Sequence, residues 1–135
     1  MIGLKQGFHE VDVLNASVLI VEDENVSRRA LATLLARLGY RPTAVASAEE
    51  ALEMVDAGHQ SPEIALIDLD LPGMGGAELI SRLNVLDKRI VPIVISAAEN
   101  EKIFTVLESR GIPFLRKPLN FDHLLTLMSE AKTLH

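Results

Sequence analysis

Six polar side chains stand at or just beyond the ends of apolar runs in this sequence. Glu22 and Asp23 follow Ser17 to Val21; Asp68 and Asp70 end the apolar part of Ile64 to Gly76, IALIDLDLPGMGG; Ser96 follows Ile90 to Ile95; Lys117 follows Phe114 to Arg116 and precedes Pro118. Clustered carboxylates repel one another and resist ionising together, so they call for a hard divalent cation, and oxygen-only ligation suits Mg²⁺ with several waters retained. A Lys facing a carboxylate, a cation and a Ser hydroxyl form a socket for a dianionic phosphoryl group. Such a site transfers phosphoryl by positioning and charge neutralisation, with Asp68 as the candidate nucleophile forming an aspartyl phosphate. Taken singly, each residue has a plainer explanation. An acidic pair before a helix suits the helix dipole, and a lone Ser or Lys at a strand end is ordinarily solvated. The chemistry requires that the chain gather them.

The elements that would gather them are readable from periodicity. Ser17 to Val21 reads as a short strand. Val26, Ala30, Leu31, Leu34, Leu35 and Leu38 form one stripe over Asn25 to Leu38, an amphipathic helix closed by Gly39 with Pro42 beyond it. Thr43 to Ala46 reads as a second strand, and Ser47 with Glu50 as a capping box heading a helix to about Ala57. The run from Glu63 to Asp68 is too short for a typical helix, and Pro72 with Gly73 forbids its continuation, so it is a core strand opening into a loop. A helical stripe of Ala77, Leu79, Ile80, Leu83 and Leu86 follows, then a strand from Ile90 to Ile95, whose Pro92 belongs near the start of the ladder or towards an edge. A fourth helix, about Asn100 to Ser109, is stopped by Gly111; a strand covers Phe114 to Arg116; Asn120 caps a last helix with the stripe Phe121, Leu124, Leu125 and Met128.

Five strands alternating with five helices through short connections predict an α/β fold: a doubly wound five-stranded parallel sheet with right-handed crossovers and helices on both faces. All five carboxyl ends then lie on one rim, where ligands bind in open α/β sheets. Glu22, Asp23, Asp68, Asp70, Ser96 and Lys117 meet there.

Composition bounds the partners. With 135 residues, 48% hydrophobic and 24% charged, the chain has room for one globular domain. The absence of Cys excludes a disulfide framework and thiolate metal sites. No run is long enough to span a bilayer and no signal-peptide segment opens the chain, so a cytoplasmic protein with no membrane partner is expected. A net charge of −6, one Tyr and no Trp argue against direct nucleic-acid binding. The four His residues show no metal-ligand spacing.

The motifs VLIVEDE, LLARLGY, SAEEALE, IALIDLDLPGMGG, PIVISA and FLRKP resemble those of the receiver domain of two-component response regulators, whose fold is the (βα)5, flavodoxin-like and CheY-like one. The match covers roughly Ser17 to Ala131, and a receiver domain over residues 17–133 is expected. The resemblance implies that Asp68 accepts phosphoryl from a histidine kinase or histidine phosphotransfer protein. It implies that Asp23 and Asp68 ligate Mg²⁺ directly, with Glu22 acting through water and the backbone carbonyl of Asp70 completing the protein ligands. Ser96 is placed to grip a phosphoryl oxygen and move on activation, Lys117 to pair with the phosphoryl group, and the Lys117–Pro118 bond to be cis. Phe114 takes the aromatic switch position where relatives often carry Tyr. The resemblance also points to the face of the fourth helix, fifth strand and fifth helix, Asn100 to Met128, as the output surface. A downstream protein target, an output domain outside this chain and a homodimer are the partners it allows.

Two departures stand out. Glu22 replaces the commoner Asp, and Asp70 adds a carboxylate whose charge is expected to repel phosphoryl and heighten dependence on metal. Two alternatives follow from the same residues. Asp68 and Asp70 also resemble the DxD signature of haloacid-dehalogenase-type phosphatases, although Leu71-Pro72 stands where Gly-Thr is usual. A receiver-like interaction module that is never phosphorylated is the other. Residues 1–16 are a leader, or an extra helix carried by Leu4, Phe8, Val11 and Leu14. The chain ends directly after the last helix, so a stand-alone receiver or one cut from a larger protein is expected.

Overall fold

The computed structural model describes residues 15–57, 61–71, 73–97, 99 and 101–132. The expected leader or extra helix lies almost wholly outside them, as do Gly58 and Asn100. The elements are β1 (Ser17–Val21), α1 (Asn25–Arg37), β2 (Arg41–Val45), α2 (Ala48–Asp56), β3 (Ile64–Asp68), α3 (Gly76–Leu86), β4 (Val91–Ser96), α4 (Glu101–Ser109), β5 (Phe114–Arg116) and α5 (Phe121–Lys132). The strands form one parallel sheet in the order β2-β1-β3-β4-β5. This is the doubly wound α/β fold expected, with β3 at its centre.

Period-two alternation in the strands feeds both faces. Val18, Ile20, Ile64, Leu66, Ile93 and Ile95 pack against Leu31 and Leu35 of α1 and Leu124 and Met128 of α5. Leu19, Val21, Ala65 and Ile67 face Ala48, Ala51 and Val55 of α2 and Leu79 and Leu83 of α3. Val94 turns towards Phe104 and Leu107 of α4, which completes that second layer. Because β1, β3 and β4 are covered on both sides, their sequences read as unbroken apolar runs.

The helix ends hold as local chemistry dictates. Glu24 caps α1, its carboxylate accepting the Val26 and Ser27 N–H groups at 3.1 and 2.7 Å. At the other end Gly39, with φ +97°, supplies the left-handed residue of a Schellman turn: Tyr40 N–H donates to Leu35 C=O and Gly39 N–H to Ala36 C=O. The Ser47 hydroxyl accepts the Glu50 N–H at 3.1 Å, while Glu50 reaches back to Ala46 N–H at 3.0 Å, one residue earlier than a capping box requires.

Several expectations need correction; Ala30 and Ala77, read as stripe residues, are exposed. β2 begins at Arg41 rather than Thr43, so Pro42 lies inside it, paired with Val18. Arg41 N–H points inward to Ala16 C=O, which turns the Pro42 nitrogen to the open edge, where a missing donor breaks no ladder bond. Val26 is 74% exposed, because five residues before Leu31 it falls about 140° around the helix from the buried stripe. Phe121 has the right phase but stands a turn ahead of Leu124, the first buried residue of α5, and is 49% exposed. Leu86, in the last turn of α3, is 42% exposed.

Candidate functional site

Each site residue is carried to the rim by a strand held in the sheet. At the end of β1, Glu22 N–H donates to Val45 C=O of β2, extending the ladder one residue and leaving the Glu22 side chain buried and Asp23 exposed. At the end of β3, Leu69 N–H donates to Ile95 C=O at 2.8 Å, which fixes Asp68 against β4; Asp68 is 3% exposed. Ser96 closes β4 and is also buried, and its carbonyl accepts Lys117 N–H at 2.9 Å. The Lys117–Pro118 peptide bond is cis.

The side chains converge. Lys117 Nζ donates to Asp68 Oδ2 at 3.0 Å and lies 3.5 Å from Asp70 Oδ2. One carboxylate oxygen from each of Glu22, Asp23 and Asp68 lies within 4.8 Å of the other two. Four strand ends thus deliver the six expected residues to one cleft. Phe114 stands apart from it. Its ring lies 4.8 Å from that of Phe104, centroid to centroid, with the Arg116 guanidinium 4.1 Å above the Phe104 ring.

Electrostatics matches this crowding. Burial, with the Asp68 charge beside it, pushes the Glu22 carboxyl up from 4.5 to about 7, despite its hydrogen bond from Glu24 N–H. Lys117 loses solvation on burial, yet the Asp68 hydrogen bond and the charges of Asp68, Glu22 and Asp70 raise its affinity for a proton above the ordinary value. The anionic centre therefore holds the Lys117 ammonium firmly and favours a proton on the Glu22 carboxyl. Three hard oxygen donors of net negative charge fit a divalent cation of the Mg²⁺ class, which would replace that proton.

Two participants escaped the sequence. The Ala97 N–H, a backbone donor at the rim, has no side-chain signature; it donates to Asp70 Oδ2 at 3.0 Å. The Asp70 side chain, expected only to repel, accepts the Ser96 hydroxyl at 3.2 Å through Oδ1. It reaches there because Asp68 Oδ1 accepts the Asp70 N–H at 2.8 Å, a turn that folds the chain back over the strand end.

Comparison with known proteins agrees with this geometry. The family model of the response regulator receiver domain matches residues 18–129. The two-component response regulator ORR6 of Oryza sativa subsp. japonica is 35% identical over 120 residues, covering 85% of this chain and 70% of its own length. The sporulation initiation phosphotransferase F of Bacillus subtilis is 29% identical over 113 residues, covering 83% of this chain and 90% of that protein. Other curated relatives are longer, and the chain spans 30% of one and 45% of another. The crystal structure of the response regulator TrrA from Thermotoga maritima, in complex with Mg²⁺-BeF, superposes with a TM-score of 0.74 at 25% identity over 86% of this chain and 98% of that one. A phosphatase of the haloacid-dehalogenase type is set aside by the same match, which runs through all five strands. With the family model spanning the sheet and the acidic cleft lying at its carboxyl rim, the chain belongs to the response regulator receiver domain family.

Proposed function

We propose that residues 17–133 form a receiver that takes a phosphoryl group on Asp68 from a histidine kinase or histidine phosphotransfer protein, in a Mg²⁺-dependent reaction, and signals by shifting its α4-β5-α5 surface. The observation that carries this is the buried Asp68 carboxylate, paired with Lys117 at 3.0 Å and set among the Glu22 and Asp23 oxygens. Asp23 and Asp68 would hold the cation directly, Glu22 through water, with the Asp70 backbone carbonyl as a further ligand. The cation supplies charge neutralisation between the carboxylate nucleophile and the incoming anion.

The chain's own groups do the rest. An Asp68 oxygen attacks phosphorus, the bond from phosphorus to the donor's imidazole nitrogen breaks, and the imidazole leaves with a proton from solvent. Lys117 balances the charge that arrives, and the Ser96 hydroxyl donates to a phosphoryl oxygen. Magnesium-BeF in the TrrA complex supports the choice of ion and the phosphoryl character of the ligand.

The test is intact mass after incubation with acetyl phosphate and Mg²⁺. The expected result is a hydroxylamine-labile gain of one phosphoryl group, absent in Asp68→Asn. A parent chain that gains no mass would leave the unphosphorylated interaction module as the better reading.

A further inference from the structure

Asp70 has the most donors at the rim and no side-chain task in the phosphoacceptor reaction. Its Oδ1 takes the hydroxyl of Ser96, and its Oδ2 takes the Ala97 N–H at 3.0 Å and lies 3.5 Å from Lys117 Nζ. These donors come from the ends of two strands and meet on one anion. Ser96 is 1% exposed, and every buried side-chain nitrogen and oxygen among the described residues has a partner. The Ser96 hydroxyl owes its partner to Asp70. The same Lys117 ammonium binds Asp68 Oδ2 at 3.0 Å, so the place that Asp70 fills adjoins the oxygens of the nucleophile.

A phosphoryl group on Asp68 would carry anionic oxygens into that place and need the same three donors. A hydroxyl and an amide each have one hydrogen to give, so the two anions cannot both be satisfied. We propose that the Asp70 carboxylate is a built-in competitor of the phosphoryl group, holding Ser96, Ala97 N–H and Lys117 until transfer displaces it. Its side chain is 42% exposed, so it can leave towards water when displaced. The residue thereby opposes both the charging of Asp68 and retention of the phosphoryl group. This inference rests on the assignment of Asp68 as phosphoacceptor.

Beryllofluoride, a stand-in for phosphoryl, separates the two. The ¹H–¹⁵N NMR signal of Ala97 is followed in the full chain at saturating Mg²⁺ as beryllofluoride is added to the parent, Asp70→Ala, Asp70→Asn and Asp68→Asn. The expected outcome is saturable binding by the parent, none by Asp68→Asn, and half-saturation of Asp70→Ala at a roughly tenfold lower concentration, with Asp70→Asn between. In the free protein the Ala97 amide of Asp70→Ala moves upfield as its charged acceptor is lost. The gain persists in about 0.5 M NaCl, because competition for shared hydrogens is not screened as a distant charge is. Equal or weaker binding by Asp70→Ala overturns the competitor, and so does a gain that disappears in salt, which would be bulk repulsion alone. A parent that does not bind beryllofluoride overturns the phosphoacceptor assignment, and the competitor with it.

Discussion

Glu22 shows what crowding at the cleft does to one side chain. In the unfolded chain its carboxyl titrates near 4.5; in the fold, burial and the neighbouring Asp68 raise this to about 7. The native state therefore binds more protons than the unfolded state between these two values, and stability falls as pH rises through that window. Below about 4.5 both states hold the proton and above about 7 neither does. In EDTA, the urea midpoint of the parent is expected to fall from pH 5 to pH 8 by more than that of Glu22→Gln, which removes this group's titration. Added Mg²⁺ should raise the parent's melting temperature more at pH 8 than at pH 5, because the ion and the proton compete for the same oxygens. A pH dependence shared equally by parent and variant would place the effect elsewhere. The residue types at this site were legible in the sequence, since each closes an apolar run. Their directions were not. Whether Asp70 repels or accepts is decided by a two-residue turn on Asp68 and by an Ala97 N–H, and neither leaves a mark in residue identity.

Between residues and fold, the junction of β3 with α3 is the element on which the site depends. α3 begins at Gly76 against the end of β3: a Cβ there would lie 2.6 Å from Leu69 Cδ2, 2.9 Å from Leu69 Cα and 3.2 Å from Asp68 C=O. Two of these three are backbone atoms, and they belong to the pair that connects the nucleophile to Asp70. Gly76→Ala is expected to cost about 2 kcal/mol by overpacking and, with it, to slow phosphoryl gain at Asp68 by displacing the strand end. Urea denaturation and intact mass read the two effects. The preceding Gly75 has open space around it, extended backbone and no side-chain cap. Gly75→Ser should stabilise the fold by a few tenths of a kcal/mol by capping α3, leaving phosphoryl gain unchanged. Three glycines close together were visible as a loop signal, but only packing separates the one that cannot change from the one that can be improved. Helix phase has the same limit. Val26 is apolar and lies five residues before Leu31, about 140° around the helix, which puts it in solvent; the stripe read from Val26 is buried only from Leu31 onward.

Across the whole molecule, the cleft and the proposed output face share the short strand β5. Lys117 N–H is bound to Ser96 C=O, so any movement of Ser96 would reach the end of β5 through a backbone bond as well as through side chains. Phe114 of β5 packs on Phe104, Phe104 lies beneath Arg116, and Arg116 is paired with Glu101 in the first turn of α4 at 2.7 Å. Phosphoryl contacts at Ser96 and Lys117 can bias this arrangement only by differing between its states, which is a population shift and not a push along a wire. Phe114 is half-buried, so Phe114→Ala should cost about 2 kcal/mol, less than a fully buried Phe. It should still gain one phosphoryl mass, since its ring lies outside the acidic cleft. The informative readout is the amide spectrum on adding beryllofluoride and Mg²⁺. In the parent, shifts should extend from Ala97 into α4 at Phe104 and Leu107 and spare Ala51 and Val55 of α2; in Phe114→Ala, those at Ala97 should remain and those in α4 shrink. Full α4 shifts in the variant would mean that β5 passes the signal by its backbone bond to Ser96, with the aromatic pair serving only as core.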